Sequence, residues 1–523
     1  MNVKFKEEDN MSFVNGMDMM TSVKSTENGA IAYNTSGGGA LLDFFAVVGG
    51  MRKRDEADIV QMYHAARKED KELADKIVLY ARDVRGAGLG ERRIGKILLK
   101  ALAHIDHAKV ERNFQTFVMN GRFDDLYALE GTPAETAMWQ FMKDTLLKDA
   151  AAMKAGKPIS LAAKWMKSIN TSSAESKRLA RKFCTVAGIS ERTYRKTLAA
   201  LRKYSNVVEV KMSANEWEAI NFEAVPSIAM KRYSTAFGKH CPNAFTRYKH
   251  ELTTGEAKVN AKTLYPYECV ERAREAMGCV YSWYGYKTPA INTVDRLMVN
   301  KYWENLADYI NGAAFNGIAI VDTSGSMCGS GYGNRTVAPI DVAISIGMYC
   351  AEKNRGPYAG HFLTFNSQPK FMKVEGIDFC DKVSRIFQAP WGGSTNIEAA
   401  FDLILQIAID NHCSSDEIPQ NLIVISDMEF NSCATSNGYG RLSANSSLFE
   451  QMRAKWETYG YKMPKLVFWN VDARQDNFAM KDEENVSYVS GFSPVLFEQI
   501  MKGKTAQDLM YDKLNDKRYA CIK

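Results

Sequence analysis

Residues 317–327 read GIAIVDTSGSM, a short apolar run that ends abruptly in polar residues. An apolar run of this length, rich in isoleucine and valine, is typical of a strand that is buried in a sheet. The residues that close the run carry side-chain oxygens: Asp322, Thr323, Ser324 and Ser326. The stretch therefore predicts a buried strand that delivers a carboxylate and several hydroxyls to its own carboxyl end.

Three more β-rich runs follow, with helical patterns between them. The runs are GHFLTFNS (360–367), NLIVISDMEF (421–430) and KLVFWNVDA (465–473). The helical patterns are IDVAISIGMYCAEKN (340–354), NIEAAFDLILQIAIDN (396–411) and LFEQMRAKWETYG (448–460). Strands that alternate with helices predict a parallel, doubly wound sheet. We expect an α/β domain over residues 310–523.

The chain before this domain is helical in its pattern. Apolar residues recur at helical spacing in DEADIVQMYHAARKED (55–70), KELADKIVLYARDV (71–84) and several later segments. Successive short helices with short connections predict a helical-repeat array of the HEAT-like kind over residues 37–300, although no strict sequence period is present. Residues 1–36 are polar and rich in Ser, Asn and Gly, and are expected to be a flexible leader.

Oxygen-bearing residues recur at the predicted strand ends of the α/β domain. Asp427 follows the run LIVIS, and Thr395 lies in the glycine-rich loop WGGSTN. Because ligands of parallel α/β sheets bind at the carboxyl ends of strands, these loops can meet on one rim. Hard oxygen donors without thiolate or imidazole suit Mg²⁺ or another hard divalent cation. The candidate metal ligands are Asp322, Ser324, Ser326, Thr395 and Asp427. The alternative is that Ser324, Ser326 and Asp427 only cap helices.

The strand-end residues suit a binding site better than an enzyme active site. Phosphatases of the haloacid-dehalogenase class place an aspartate at a strand end, but they need a second acidic residue two positions on, where this chain has Ser324. A hydrolase that used Ser324 or Ser326 as nucleophile would lack an evident base, because the seven histidines form no obvious cluster. We therefore expect a non-catalytic protein, with phosphatase-like or nuclease-like activity as the lesser alternative.

Charge is concentrated in one part of the chain. Residues 151–260 hold 20 Lys and Arg against 8 Asp and Glu, a net charge of +12, whereas residues 311–523 hold 20 against 24, a net charge of −4. A basic helical region with aromatic neighbours suits RNA, because cations neutralise phosphates and exposed rings stack on bases. The alternative is that the aromatic residues are core and their basic neighbours merely solvated. The candidate RNA-binding residues are Lys164, Lys167, Arg178, Arg181, Lys182, Arg195, Lys203, Lys231 and Arg232.

The metal motif resembles a known site. The order DxSxS at a strand end, a threonine in a glycine-rich loop and an aspartate after a later strand is similar to the metal-ion-dependent adhesion site (MIDAS) of von Willebrand factor A domains. A helical-repeat domain followed by such a domain resembles the Ro ribonucleoprotein autoantigen, whose TROVE module is a ring of HEAT-like repeats that binds RNA. By that resemblance, the five candidate ligands would hold the metal.

The chain is more closely similar to an uncharacterised family related to Ro. The resemblance runs from about residue 40 and rests on segments such as GRFDDLYAL (121–129), SLAAKWMKS (160–168), WGGSTNIEAAFDLIL (391–405), VISDMEF (424–430) and VSGFSP (489–494). It implies an α + α/β architecture and, through Ro, RNA binding. No motif of the helical part carries RNA-contact residues over from Ro one by one.

The function expected from these observations is that of a ribonucleoprotein component. It would bind single-stranded or structured RNA, while its metal site holds an acidic group such as a partner's carboxylate or a phosphate. The alternative is a metal-dependent protein–protein scaffold without RNA. The chain has no apolar run long enough for a membrane span, no secretory signal at its start and ten cysteines without zinc-type spacing. These features predict a cytoplasmic protein.

Overall fold

The structure is a computed structural model of the chain. It describes residues 23–85, 88–261, 264–277, 293–310, 315–328, 337–366, 368–388, 395–431, 448–480, 485–500, 504–520 and 522.

Eight strands and twenty-one α-helices are assigned in the described residues. The strands are β1 (Val23–Ser25), β2 (Ile31–Tyr33), β3 (Gly317–Asp322), β4 (His361–Phe365), β5 (Lys370–Lys373), β6 (Asn421–Ser426), β7 (Lys465–Asn470) and β8 (Val486–Ser490). The helices are α1 (Ala40–Val47), α2 (Glu56–Glu69), α3 (Lys71–Arg82), α4 (Arg92–Ile105), α5 (His107–Arg112), α6 (Phe114–Asn120), α7 (Glu135–Lys154), α8 (Ala162–Trp165), α9 (Ala174–Ala187), α10 (Glu191–Tyr204), α11 (Val208–Ser213), α12 (Ser227–His240), α13 (Pro242–Thr254), α14 (Pro266–Met277), α15 (Thr293–Glu304), α16 (Pro339–Lys353), α17 (Phe379–Gln388), α18 (Ile397–Asp410), α19 (Leu448–Thr458), α20 (Leu496–Ile500) and α21 (Ala506–Leu514).

Six of the strands form one sheet in the order β5-β4-β3-β6-β7-β8. All neighbouring pairs are parallel except β4 and β5, which are antiparallel. The four strands that the sequence predicts are β3, β4, β6 and β7, so the predicted mixture of helices with a mostly parallel sheet is confirmed. β5 and β8 are additional strands, one at each edge.

The centre of the sheet is buried on both faces. Every residue of β3 is buried, and α16 packs against β3 and β4 with most of its residues buried. Close approach of helix and strand depends on Gly347, because a Cβ atom there would lie 2.6 Å from Val321 Cγ2. This packing accounts for the continuous apolar character of the predicted strand and of the helix that follows it.

A hairpin forms within the segment that was predicted to be a flexible leader. β1 and β2 pair antiparallel, and Gly29 at the turn has φ of +88°, which glycine tolerates and most residues do not. Tyr33 exchanges two backbone hydrogen bonds with Phe478. The prediction therefore differs from the structure over residues 23–33, because long-range hydrogen bonds order a segment whose composition is polar. Residues 1–22 lie outside the described part.

The chain divides into two compact units, and each contains two segments. The sheet unit comprises the described residues up to Lys71 and those from Tyr265 to Lys513. The helical unit comprises Glu72–Leu264 with Leu514–Lys523. The predicted segments, 1–36, 37–300 and 310–523, divide the chain at other positions. The physical reason is that α1 packs on β8, and α14 packs on α16 and α17, within the sheet unit.

The helical unit contains nearly all of α3 and the whole of α4 to α13, mostly amphipathic helices that bury their apolar faces. Its helices begin at clear signals: the side chain of Ser173 accepts a hydrogen bond from the Ser176 amide, and that of Ser190 accepts one from the Thr193 amide. Gly188 ends α9 in the left-handed conformation, with φ of +66°. The HEAT-like repeat geometry stays a prediction.

Candidate metal centre and basic surface

The candidate metal centre lies where the two central strands end. β3 ends at Asp322 and its parallel neighbour β6 ends at Ser426, so Asp322 and Asp427 emerge from the same edge of the sheet. Immediately after Asp427 the backbone turns sharply, since Met428 has φ of +64°, which is rare for a residue other than glycine. Such backbone strain is retained mostly at functional positions.

Asp322 is completely buried and is held at both carboxylate oxygens. Its Oδ1 accepts a hydrogen bond from the Ser324 amide at 2.9 Å, and its Oδ2 accepts one from the Ser426 hydroxyl at 2.6 Å. The hydroxyls of Ser324 and Ser326 lie 3.1 Å apart. The structure thus brings three of the predicted ligands together, and it adds Ser426, which the sequence analysis did not single out.

Asp427 is buried and carries a counter-ion. Its Oδ1 accepts a hydrogen bond from the Glu429 amide at 3.2 Å, and the Ser326 side chain also bonds to this carboxylate. Its Oδ2 accepts a hydrogen bond from Nη2 of Arg474 at 2.6 Å, and the Asp427 side chain is 0% exposed. Sequence reasoning missed Arg474, although its place just beyond the end of β7 was a usable signal.

Thr395 is buried just before α18, beside the segment that follows β6. Its hydroxyl accepts a hydrogen bond from the Asn28 side-chain amide at 3.3 Å, and its carbonyl accepts one from the Asn431 amide at 3.0 Å. Asn28 also donates to the Glu429 carbonyl at 2.6 Å. The fifth predicted ligand therefore connects to the loop of Asp427. The glycines that precede Thr395 lie outside the described residues.

The electrostatics of the two aspartates favour a bound cation. Burial raises the pKa of Asp322 to about 7, with a further contribution from the negative charge of Asp427. Burial also raises the pKa of Asp427, and the charge of Arg474 opposes that rise. Two buried carboxylates at one strand edge repel each other unless a positive charge lies between them.

The donor set fits a hard cation with some retained water. Among the residues that the structure describes, no three His, Cys, Asp or Glu side chains are grouped as a metal site. A cation at this edge would therefore be held by Asp322 and Asp427 together with hydroxyls. Oxygen donors of this kind are those that Mg²⁺ uses, and two carboxylates leave room for an acidic ligand.

Three of the nine predicted RNA-binding residues are engaged in ion pairs. Arg178 binds Glu130 and Glu175, with its shortest nitrogen–oxygen distances 2.6 and 2.7 Å. Lys182 binds Glu130 at 2.7 Å. Arg181 lies 3.3 Å from a carboxylate oxygen of Glu191. Since these cations are largely neutralised within the chain, they are weak candidates for phosphate contacts.

Two lysines and one tryptophan of the same region are partly packed. The Lys164 Nζ atom lies 5.5 Å from the centre of the Trp165 ring, and the guanidinium of Arg122 covers that ring at 3.5 Å. The Lys167 Nζ atom lies 5.3 Å from the centre of the Tyr127 ring. Because Arg122 already covers one face of the Trp165 ring, an RNA base cannot stack on that face.

Helix α10 carries two more of the predicted RNA-binding residues, Arg195 and Lys203. The side chain of Tyr194 is 0% exposed, so it is a core residue, whereas Tyr204 is 41% exposed. No ion pair or side-chain hydrogen bond within the described residues engages the basic side chains on the exposed face of this helix. These side chains are Arg192, Arg195, Lys196 and Lys203. On α12, the predicted residues Lys231 and Arg232 are also exposed.

A pocket opens beside the exposed face of α10. Its volume is about 360 Å³, and Arg195, Lys196 and the segment 168–170 lie on its wall. Arg202 fixes this wall, because its guanidinium donates to the carbonyls of Ala163 and Met166 at 2.8 Å each. Arg202 therefore has a packing role.

These features define the class: a protein with a mostly parallel α/β sheet unit, an oxygen-lined edge at its central strands and a basic helical unit. In the comparison with known proteins, residues 316–519 match the family described as "Domain of unknown function (DUF7788)" and residues 171–313 match "Domain of unknown function (DUF2828)". Uncharacterized protein L728 of Acanthamoeba polyphaga mimivirus is 30% identical over 526 residues, which is 93% of this chain and 86% of that protein. The chain belongs to the same family as L728.

A solved structure is also similar. The crystal structure of the Deinococcus radiodurans RO (RSR) protein matches with a TM-score of 0.39 and 14% identity, over 90% of this chain and 100% of that one. Within the described residues, no helix is long and apolar enough to span a membrane.

Proposed function

We propose that this protein is a non-catalytic RNA-binding protein, a ribonucleoprotein component, whose sheet unit carries a divalent-cation site of the adhesion type. The observation that carries the RNA half is the exposed face of α10, with its four basic side chains free of carboxylate partners among the described residues. Such cations can bind phosphates without first breaking an ion pair within the protein. The pocket beside them offers room for part of a nucleotide.

The metal half of the proposal rests on the edge of β3 and β6. Asp322, Ser324, Ser326, Thr395 and Asp427 would hold Mg²⁺ or a similar cation, and the bound cation would supply a positive charge that captures a carboxylate or a phosphate. Ser426 would hold the Asp322 carboxylate in place through its 2.6 Å hydrogen bond. Outer partners of this kind orient metal ligands.

A binding role suits these side chains better than hydrolysis does. Neither Ser324 nor Ser326 has a hydrogen bond to a histidine among the described residues, and their hydroxyls bond to each other and to a carboxylate. A serine nucleophile needs a base within hydrogen-bond reach that can take its proton. The arrangement suits lone-pair donation to a cation.

One observation favours the second candidate, a metal-dependent protein scaffold without RNA. Glu130 neutralises Arg178 and Lys182, so the helical unit presents less positive charge than its composition implies. An acidic protein bound at the metal site would then be the principal partner.

Fluorescence anisotropy with a labelled single-stranded RNA of about 20 nucleotides separates the two candidates. The test variant carries Arg195→Glu, Lys196→Glu and Lys203→Glu. Because each phosphate contact on a single strand adds about 0.7 to the slope of log K against log salt, loss of three contacts should lower that slope by about 2. We expect affinity to fall at least about tenfold at physiological salt.

A matched control reverses three exposed lysines elsewhere in the helical unit, Lys100, Lys148 and Lys154. We expect the control to retain most of the binding. Equal losses in both variants would show that only net charge matters, and would remove α10 as the site. Absence of RNA binding by the wild type, in the presence or absence of Mg²⁺, would eliminate the RNA proposal and leave the scaffold.

A further inference from the structure

The tip of the N-terminal hairpin lies on the candidate metal centre. The Thr26 hydroxyl donates to the Phe430 carbonyl at 2.6 Å, and the Glu27 amide donates to a Glu429 carboxylate oxygen at 2.7 Å. Asn28 donates to the Glu429 carbonyl at 2.6 Å and reaches the hydroxyl of Thr395 at 3.3 Å. Three consecutive residues are thus bound to the loop after β6 and to a predicted metal ligand.

The backbone of the tip is fixed, but the side chain of Glu27 is not enclosed. The side chain is 44% exposed, and its carboxylate lies 3.3 Å from Nη1 of Arg474 and 3.3 Å from the side-chain amide of Gln475. Arg474 at the same time binds Asp427 at 2.6 Å. One guanidinium is therefore shared between an exposed carboxylate of the hairpin and a buried carboxylate of the metal centre.

This sharing has a consequence for cation binding. A divalent ion held by Asp322 and Asp427 would take over the role of the guanidinium as counter-charge of Asp427. Two like charges within a few ångströms repel strongly at a partly buried site, so Arg474 would move away from the ion. Glu27, with its backbone hydrogen-bonded beside the site and its side chain partly exposed, would then face the ion.

We infer that Glu27 is an internal acidic ligand of the metal centre, delivered by the hairpin tip, which occupies the position that an external carboxylate or phosphate must take over. This role of Glu27 rests on the proposed cation site. Glu27 would fill the coordination position of the cation that the five proposed ligands leave open. It gives the hairpin a function: a partner binds only where it competes successfully with Glu27. The hydrogen bond from Asn28 to Thr395 holds the hairpin tip in position at the metal centre.

The full-length protein can be tested with Mn²⁺ alone, with free Mn²⁺ measured by electron paramagnetic resonance. Glu27→Gln keeps the shape of the side chain and removes its charge, and the exposed position makes unfolding no concern. We expect the Kd for Mn²⁺ to rise about tenfold or more in Glu27→Gln. The matched control, Glu56→Gln, removes an exposed carboxylate of the same unit, and we expect its Kd to stay within about twofold of the wild type.

A second readout examines the ion itself. The number of water molecules on the bound Mn²⁺, measured by ¹⁷O electron–nuclear double resonance, should be one higher in Glu27→Gln, because a lost carboxylate is replaced by water. An unchanged Kd and an unchanged water number in Glu27→Gln would overturn the inference and leave the cation site intact. If the wild type binds no Mn²⁺, or if Asp322→Ala leaves its Mn²⁺ binding unchanged, the cation site itself is refuted. The proposed role of Glu27 then fails with it.

Discussion

Replacement of Arg474 by glutamine should have opposite consequences with and without metal. In the metal-free protein, Arg474 is the counter-charge of Asp427, whose side chain is 0% exposed. Arg474→Gln removes that charge and leaves two buried aspartates at one strand edge. With a divalent cation present, the ion supplies the missing charge. We therefore expect Arg474→Gln to destabilise the sheet unit in EDTA and to do so much less in saturating Mn²⁺.

The size of the effect can be bounded from the geometry. Removal of one partner from a buried ion pair costs about 3–5 kcal/mol. Arg474 is 29% exposed, and Asp427 keeps its bond to the Glu429 amide, so the lower end of that range applies. Asp427 can also take up a proton, at a cost below the about 4 kcal/mol for an aspartate of ordinary pKa at pH 7, because burial raises the pKa of Asp427. The expected loss is about 3 kcal/mol.

Hydrogen exchange of the β6 amides measures this loss within the sheet unit itself. A loss of about 3 kcal/mol corresponds to roughly a hundredfold faster exchange, if these amides exchange through an opening that releases the metal edge. Metal at about 100 times its Kd returns about 2.7 kcal/mol, enough to restore most of the protection. Arg355→Gln, an exposed charge of the same unit, is the control. Two results would contradict this expectation. In one, Arg474→Gln in EDTA exchanges its β6 amides at the wild-type rate. In the other, exchange is faster than in the wild type but Mn²⁺ does not slow it.

Two further predictions concern the helical unit. Lys109 and Asp75 form a 2.7 Å ion pair with side chains only 7% and 0% exposed, so Lys109→Met should cost about 3–5 kcal/mol in thermal unfolding, and adding Asp75→Leu should recover part of it. A double variant as unstable as the single one would contradict this account. The Arg178 hydrogen bond lowers the pKa of Glu130 to about 2, below its ordinary value of 4.5. Its ionised form therefore contributes stability above pH 4.5 that is lost as pH falls toward 2, and the melting-temperature gap between wild type and Glu130→Gln should narrow from pH 7 to pH 3. A constant gap would show that the ion pair contributes nothing.

The strands that the sequence predicts are those buried on both faces. β3, β6 and β7 read as continuous apolar runs because helices cover both sides of a parallel sheet. β5 has the sequence KFMK at a sheet edge, with no residue fully buried, so it lacks that signal. β1 and β2 have three residues each, and their order comes from hydrogen bonds to residues about 400 positions away. Local pattern carries no information on such pairings.

At the metal centre, the residues at strand ends are predictable from the sequence and their long-range partners are not. Asp322, Ser324 and Asp427 follow apolar runs directly, and parallel strands bring their ends to one edge. Arg474 lies 47 residues from its partner Asp427, and Glu27 lies 447 residues from Arg474. The sequence can place Arg474 close to a strand end, but it does not show either pairing. The metal role of these residues, and that of Ser326 and Thr395, stays a prediction.

The charge pattern of the sequence predicts a larger basic surface than the structure shows, because some of the cations are paired with distant carboxylates. Arg178 and Lys182 lie at helical spacing and read as one basic face, but Glu130, about 50 residues earlier in the chain, binds both. The sequence shows which residues are charged and does not show which charges are already paired. Helix α10 retains its positive face because its neighbours offer no carboxylates to these side chains among the described residues.

The central claim is that the helical unit binds RNA through α10. The most direct test is ultraviolet crosslinking of the tagged protein in its native cells, followed by sequencing of the attached RNA and mass spectrometry of the attached peptide. The account predicts a defined RNA set, crosslinked to peptides within residues 164–204, that the Arg195→Glu, Lys196→Glu, Lys203→Glu variant loses. Recovery of no RNA above a control protein, or crosslinks confined to the sheet unit and unaffected by that variant, would contradict it.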